Sequence, residues 1–275
     1  MIRSLYTAAS GMVLGLRQQD VVADNIANSS TVGYKAEQSA QTAFGGVLAR
    51  RIGPADGPVP GRVDEVIGQV GTGAFVENVR TYLGQGAERE TGAPLDVMVR
   101  GDGFFVAQTD EGVRYTRDGH LDRDDQQRLI TADGGRILDV DGNEIIIDTD
   151  RVRVKSDGTI HRLVETETVQ PDGSTSVDVV EEFVAQLQVV TIGADDLVRA
   201  GDSKFVAVPG AALTPVDYAA GGTFILQGSL EEANVNIGQT ATRLYSVART
   251  YQSNQRVFAE INKTLESTVT ELGRV

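Results

Sequence analysis

From Ile237 an apolar residue returns at every seventh position: Ile237, Leu244, Tyr251, Phe258, Leu265 and Leu272. Ala241, Ala248, Val247, Ile261 and Val275 widen the stripe. A repeat of seven predicts a long helix with a coiled-coil seam, because 3.5 residues per turn keep one edge facing a partner. At 1.5 Å per residue this helix would run ~54 Å. The other end of the chain carries a matching seam of Ile2, Leu5, Ala9, Met12, Leu16, Ala23 and Ile26, with only Gln19 polar. Two long helices, nearly the whole chain apart in sequence, therefore both need apolar partners.

The first helix is expected to begin near Ser4 and fade near Asn28, where Asn28-Ser-Ser-Thr-Val-Gly33 is turn chemistry and Gly33 is suited to positive φ. Gly11 and Gly15 lie four apart inside it, each costing about 1 kcal/mol against Ala. They read equally as a site of close helix approach or as a weak helix that orders on assembly. Asn25 and Asn28 are three apart and are expected on one helix face beside Ile26. They could bond neighbouring backbone, or simply mark the helix end.

Between the helices the pattern changes twice. Residues 45–73 hold eight Gly and three Pro, and Pro54, Pro58 and Pro60 exclude a regular helix, so an extended connector is expected. From Leu95 the text turns to short apolar runs: 95–100, 104–107, 113–116, 128–131, 136–138 and 144–147. Asp-Gly pairs at 102, 118, 133, 141, 157 and 172 punctuate them with the positive φ angles of tight hairpins. Runs at 177–192, 205–208 and 223–226 complete a meander. The expected fold class is α+β: terminal coiled-coil-forming helices packed together, with a mostly antiparallel, barrel- or sandwich-like β body between them. Its divisions are residues 1–35 for the first helix, 36–74 for the connector, 75–230 for the body and 231–275 for the last helix.

Charge sharpens this layout. The 275-residue chain has a net charge of −14, which disfavours a nucleic-acid backbone as partner. Residues 1–35 carry +1 and residues 234–275 carry +2, leaving −17 for the middle. Near-neutral ends and an acidic body suit ends packed in a dense assembly, although an ordinary solvated surface would look the same. No run is long and apolar enough to span a membrane, and the N-terminus lacks the h-region of a cleaved signal.

Candidate chemistry is sparse. There is no cysteine, so no thiolate site or thiol nucleophile is available. His120 and His161 are the only histidines. Asp118, His120, Asp122, Asp124 and Asp125 could be imagined around a metal, but acids at hairpin turns are ordinarily solvated, and a closed site needs three or four converging ligands. Neither a Gly-x-Ser-x-Gly elbow nor a phosphate-binding Gly-x-x-x-x-Gly-Lys-Ser/Thr occurs. No catalytic, cofactor or metal site is therefore expected.

Several motifs in fixed order resemble a known family. Ala23-Asp-Asn-Ile-Ala-Asn-Ser-Ser-Thr-Val-Gly-Tyr-Lys35 and Thr7-Ala-Ala-Ser-Gly-Met12 are similar to the N-terminal signature of bacterial flagellar axial proteins, the rod and hook group. Residues 96–106 and 115–121 agree, and Gln227-Gly-Ser-Leu-Glu-Glu-Ala-Asn-Val-Asn236 with Ala248–Gln255 resemble the closing signature. The chain departs from the pattern at Asp24, at Ala233 and at Ser29-Ser30, and residues 163–184 look like an added acidic hairpin. The resemblance implies a rod subunit, proximal or distal, that self-assembles and contacts other rod and hook proteins. It implies a hollow tube with the terminal helices inside, transmitting torque and serving as an export channel. It also implies passage through the flagellar export apparatus without a cleaved signal, residence in the basal body, and no membrane insertion. The interface would be built on Leu5, Met12, Leu16, Asn25, Ile26 and Asn28 at one end and on Ile237, Leu244, Tyr251, Phe258, Leu265 and Leu272 at the other. The alternatives are a hook or other axial component, and a carbohydrate-binding or processing β protein. The terminal seams discriminate, since a soluble enzyme would bury them within one protomer.

Overall fold

The computed structural model describes residues 2–52, 64–149, 151–169, 175–201, 203–218 and 222–273. The chain divides into two units, one of residues 1–26, 37–80 and 237–275, the other of residues 27–36 and 81–236. The result is the α+β arrangement that the seams and turns predict.

The first unit contains helix α1 (Ile2–Ala27), strands β1 (Glu37–Ala43), β2 (Val47–Ile52), β3 (Asp64–Val70) and β4 (Ala74–Thr81), and helix α2 (Ile237–Leu272). β1 pairs with β4, and β2 with β3 in an antiparallel hairpin. The supposed connector is thus largely strand. Its three prolines fall at residues 53–63, outside the described residues, so they do not interrupt the ladders on either side.

The second unit is the β body. Its strands are β5 (Glu88–Glu90), β6 (Val97–Arg100), β7 (Phe104–Thr109), β8 (Gly112–Thr116), β9 (Leu121–Arg123), β10 (Leu129–Thr131), β11 (Arg136–Ile137) and β12 (Val152–Val154). Then follow β13 (Thr159–Val169), β14 (Thr175–Gln186), β15 (Val189–Thr191), β16 (Leu197–Arg199), β17 (Lys204–Ala207), β18 (Thr214–Pro215), β19 (Phe224–Gln227) and β20 (Ser229–Glu231). A nine-stranded sheet runs β16-β17-β8-β7-β11-β10-β9, with β15 also paired to β7 and β18 paired to β15. β7 is its central strand. Phe105 and Ala107 face one buried cluster with Leu129, Ile137 and Ile160, while Phe104 and Val106 face another with Tyr115, Leu197 and Phe205. A strand covered on both faces must be apolar throughout, which is why 104–107 reads as a run rather than an alternation.

Two expectations are corrected. Residues 144–147 form isolated bridges to Leu138 and Arg128 rather than a strand, with Ile145 and Ile147 turned into the core. The Asp-Gly turns place Gly103, Gly134, Gly142 and Gly158 at positive φ, but not Gly119, and Gly173 lies outside the described residues. Gly119 is required for space. Its backbone runs against Val97, whose N–H donates to its carbonyl at 3.0 Å, and a Cβ there would sit 1.6 Å from the Val97 oxygen.

Gly119→Ala should accordingly cost at least about 2 kcal/mol, because neither backbone can retreat without breaking core contacts. Urea unfolding of the full chain reads this directly, and a change under 0.5 kcal/mol would refute the close approach.

Candidate assembly interface

α1 and α2 pack against each other within the first unit. An added Cβ on Gly11 would lie 2.6 Å from Asn254 Nδ2, and one on Gly15 would lie 3.4 Å from Tyr251 Cβ. Numbers rise on one helix as they fall on the other, so the pair is antiparallel. Along α2 Val247 is buried, and Leu244, Ala248, Tyr251, Asn254, Phe258, Ile261 and Leu265 are half-buried in steps of three and four, as in a heptad seam. Its outer members, Ile237 and Leu272, are exposed. The register sets Ile2 opposite residue 263, so the last nine residues of α2 run beyond the start of α1. Val269 and Leu272 in that overhang are 70% and 72% exposed.

On α1 the contact row is displaced from the expected seam. Gly11 and Gly15 meet α2, and the buried residues of the helix are Ala8, Gly15, Val22 and Asn25, with Leu5, Met12 and Ile26 half-buried beside them. Leu16 is exposed, as are Gln19 and Ala23. The period of seven is retained but its phase moves by about one residue. Small residues allow the helix axes to approach, so the closest contact lies on the glycine row rather than on the bulky one.

Asn25 and Asn28 do not share a helix face. Asn25 is buried, and its amide pairs with the backbone of β1: Nδ2 donates to the Glu37 carbonyl and the Glu37 N–H donates to Oδ1, each at 2.8 Å. It acts as a one-residue strand partner for β1. Asn28 lies past the helix end in a turn, where its carbonyl accepts from Thr31 N–H at 3.1 Å.

The second unit holds the segments that lead into and out of the helices. Glu231, at the end of β20, is buried, with both oxygens occupied. Oε1 accepts from Lys35 Nζ at 2.6 Å and from Gly86 N–H at 2.8 Å, and Oε2 accepts from Arg117 Nη1 at 3.0 Å. Lys35 also donates to the Gly84 carbonyl, and Arg117 to the carbonyls of Val99 and Gly101. Burial pushes the Lys35 ammonium below its usual value, opposed by the attraction of Glu231, and lowers the Arg117 guanidinium likewise. Gly33, at φ 68°, donates its N–H to the Glu231 carbonyl at 2.8 Å. A Cβ there would meet the Arg117–Asp118 peptide at 2.4 Å. Asn234 finishes the strap, accepting from Ala36 N–H and donating to the carbonyls of Tyr82 and Gly84. The Arg199 guanidinium stacks on the Tyr34 ring, 4.3 Å from its centroid, and donates to the Lys35 carbonyl.

None of Lys35, Arg117, Glu231 or Asn234 was marked by the sequence reading. Lys35, Glu231 and Asn234 lie inside the terminal signatures, where a charged or amide side chain beside glycine and apolar residues was the available signal. The arrangement is an anchor rather than a reaction centre, because Glu231 is buried and both its oxygens accept from donors of the fold. The acidic turn is likewise absorbed locally. His120 Nδ1 lies 2.7 Å from Asp96 Oδ1, Asp118 accepts from the His120 N–H, and Asp124 holds Arg128. Among the described residues, no three His, Asp or Glu side chains converge as metal ligands would.

Comparison with known proteins matches three stretches to family profiles. These are the flagella basal body rod protein at residues 5–35, the flagellar hook protein FlgE/F/G D1 domain at 98–162, and the flagellar basal body rod FlgEFG protein C-terminal at 226–271. Each stretch contributes one member of the Lys35–Arg117–Glu231 cluster. The flagellar basal-body rod protein FlgG of Bacillus subtilis is 31% identical over 98% of each chain. The rod protein FlgF of Caulobacter vibrioides is 30% identical over 100% of both. The flagellar hook protein FlgE of Borreliella burgdorferi is 34% identical, over 53% of this chain and 34% of its own.

Glu231→Gln should destabilise the body by about 3–5 kcal/mol, since it leaves two buried cations uncompensated. Denaturant titration checks it, and a loss below 1 kcal/mol would show that the cluster is not an anchor. In the helix pair, Gly15→Ala should be tolerated and raise helix stability by up to about 1 kcal/mol. Gly15→Leu should part the helices, seen as faster amide exchange along α1. Equal protection in the two variants would contradict the glycine contact.

Proposed function

The chain belongs to the flagellar basal-body rod protein family, and on that premise we propose that this structural subunit builds the rod by polymerising through its terminal helices. The tube so formed transmits torque and encloses the export channel. The observation carrying this reading is the partly satisfied helix pair: one seam is closed within the chain, while the α2 overhang and the outer row of α1 remain exposed. Contiguous apolar surface of that kind marks a contact site, and in this reading its partner is another copy. Leu5, Met12, Ile26, Leu244, Tyr251 and Phe258 then serve the pair inside each copy, while Leu16, Ile237, Leu265 and Leu272 serve contacts between copies. Asn25 and Asn28 shape the segment leaving α1. The role is structural rather than catalytic.

The rod is favoured over the hook by coverage. Rod relatives align along essentially their whole length, while the hook relative aligns along a third of its own. Other rod and hook proteins are the neighbours in this reading. The route to the basal body is the flagellar export apparatus, without cleavage of a signal.

Replacing Leu272 and Val269 together by Asp should abolish motility and leave truncated rods, while the body still folds. Each exposed side chain would otherwise contribute about 1.5–3 kcal/mol on burial between copies. Electron microscopy of isolated basal bodies, with the tagged wild-type chain localised, provides the test. Absence of the wild-type chain from the rod would remove this reading.

A further inference from the structure

A second contact surface lies on the outer side of α1. An open groove of about 630 Å³ runs between this helix and the β1–β4 ribbon, walled by Val13, Leu14, Phe44, Phe75 and Val79. Phe44 and Phe75 stack with ring centroids 5.0 Å apart, yet remain 43% and 39% exposed, and Val13 is 60% exposed. Such apolar side chains standing together in water need a cover. Arg17 stands on the helix wall and Glu77 on the strand wall.

α2 offers a surface of matching form. Val257, Glu260, Ile261 and Thr264 line a shallow hollow of about 430 Å³, with Arg256 at its rim. Their spacing of i, i+3, i+4 and i+7 outlines the four-residue hole that receives a knob in coiled coils. Val257 at its edge is 48% exposed. The hollow and the helix wall from Ser10 to Arg17 each span seven residue steps, ~10.5 Å at 1.5 Å per residue. Charge also matches: Glu260 can meet Arg17, and Arg256 can meet Glu77.

We propose that α2 of a second copy lies in the groove between α1 and the β1–β4 ribbon, with Val13 entering the Val257–Thr264 hollow and Arg17 facing Glu260. This rests on the rod reading and specifies one of its interfaces. Groove and hollow are different surfaces of one chain, so the contact is heterologous and passes from copy to copy rather than being satisfied by a two-fold pair.

The absence of natural cysteine permits a clean test in the full chain, expressed in place of the wild type. Val13→Cys with Thr264→Cys should give a disulfide-linked ladder in assembled rods after oxidation, and neither single variant should. Within one chain residue 13 lies opposite residue 252 of α2, twelve steps from 264, beyond the 4.4–6.8 Å Cα separation a disulfide requires. Any product therefore joins two copies. Assembled rods without a ladder would overturn this interface and leave the rod reading intact. Absence of the wild-type chain from basal bodies would overturn both. Should the cysteine variant not assemble, a charge exchange decides. Arg17→Glu and Glu260→Arg should each reduce rod assembly at least tenfold, and the two together should restore it. A double variant as defective as the singles overturns the proposal.

Discussion

The body depends on the burial of one carboxylate. Glu231 sits between an ammonium and a guanidinium, in a place where any one of the three charges alone would cost several kcal/mol. The three residues come from the segment after α1, the turn after β8 and the strand before α2. Glu231 therefore holds both cations, which repel each other, and loss of this one carboxylate would strand two buried charges. Their hydrogen bonds to the Gly84, Val99 and Gly101 carbonyls and the Gly86 N–H admit a single register. The segments flanking the two helices are thus fixed at one point of the body, however long the hairpins between them.

The helix pair rests on a different balance. Isolated helices are marginal in water and gain stability mainly by packing an apolar face. α1 carries two glycines that weaken it as a helix, and they are the residues that bring it close to α2. What is lost in propensity is returned as close contact, but only while the partner is present. One stripe of each helix is consumed in this way. The exposed row of Tyr6, Val13 and Leu16 on α1, and the overhang of α2, are left without cover in a single copy.

The sequence made the architecture legible because periodicity is local. A heptad row, a run of Asp-Gly turns and a fully apolar strand each record their own geometry. The phase of the α1 seam was not legible, because phase belongs to a pair of helices. Bulky Leu16 looked like the seam, yet small Gly15 makes the contact. The hairpin β2–β3 was hidden by prolines that lie between its strands. Asn25 stood out, but its partner is a backbone twelve residues away. The buried cluster was least legible of all, since Lys35, Arg117 and Glu231 converge only through the tertiary fold. Individually each looks like an ordinary surface charge.

The acidic charge of the body also bears on how copies associate. Among the described residues, β14 pairs only with β13, so a twelve-residue strand presents an open edge, with Val179, Val180 and Phe183 exposed along it. Such an edge invites pairing with another sheet. Charged side chains interrupt it: Glu181 pairs with Arg153 and Lys155, and Glu182 with Arg162, so a second sheet pairing there would have to bury or displace these ion pairs. The helices are close to neutral and carry no comparable barrier. In the proposed rod, this barrier at the sheet edge and apolar attraction between helices would favour the same mode of association, growth through the terminal helices rather than through the edges of the sheets.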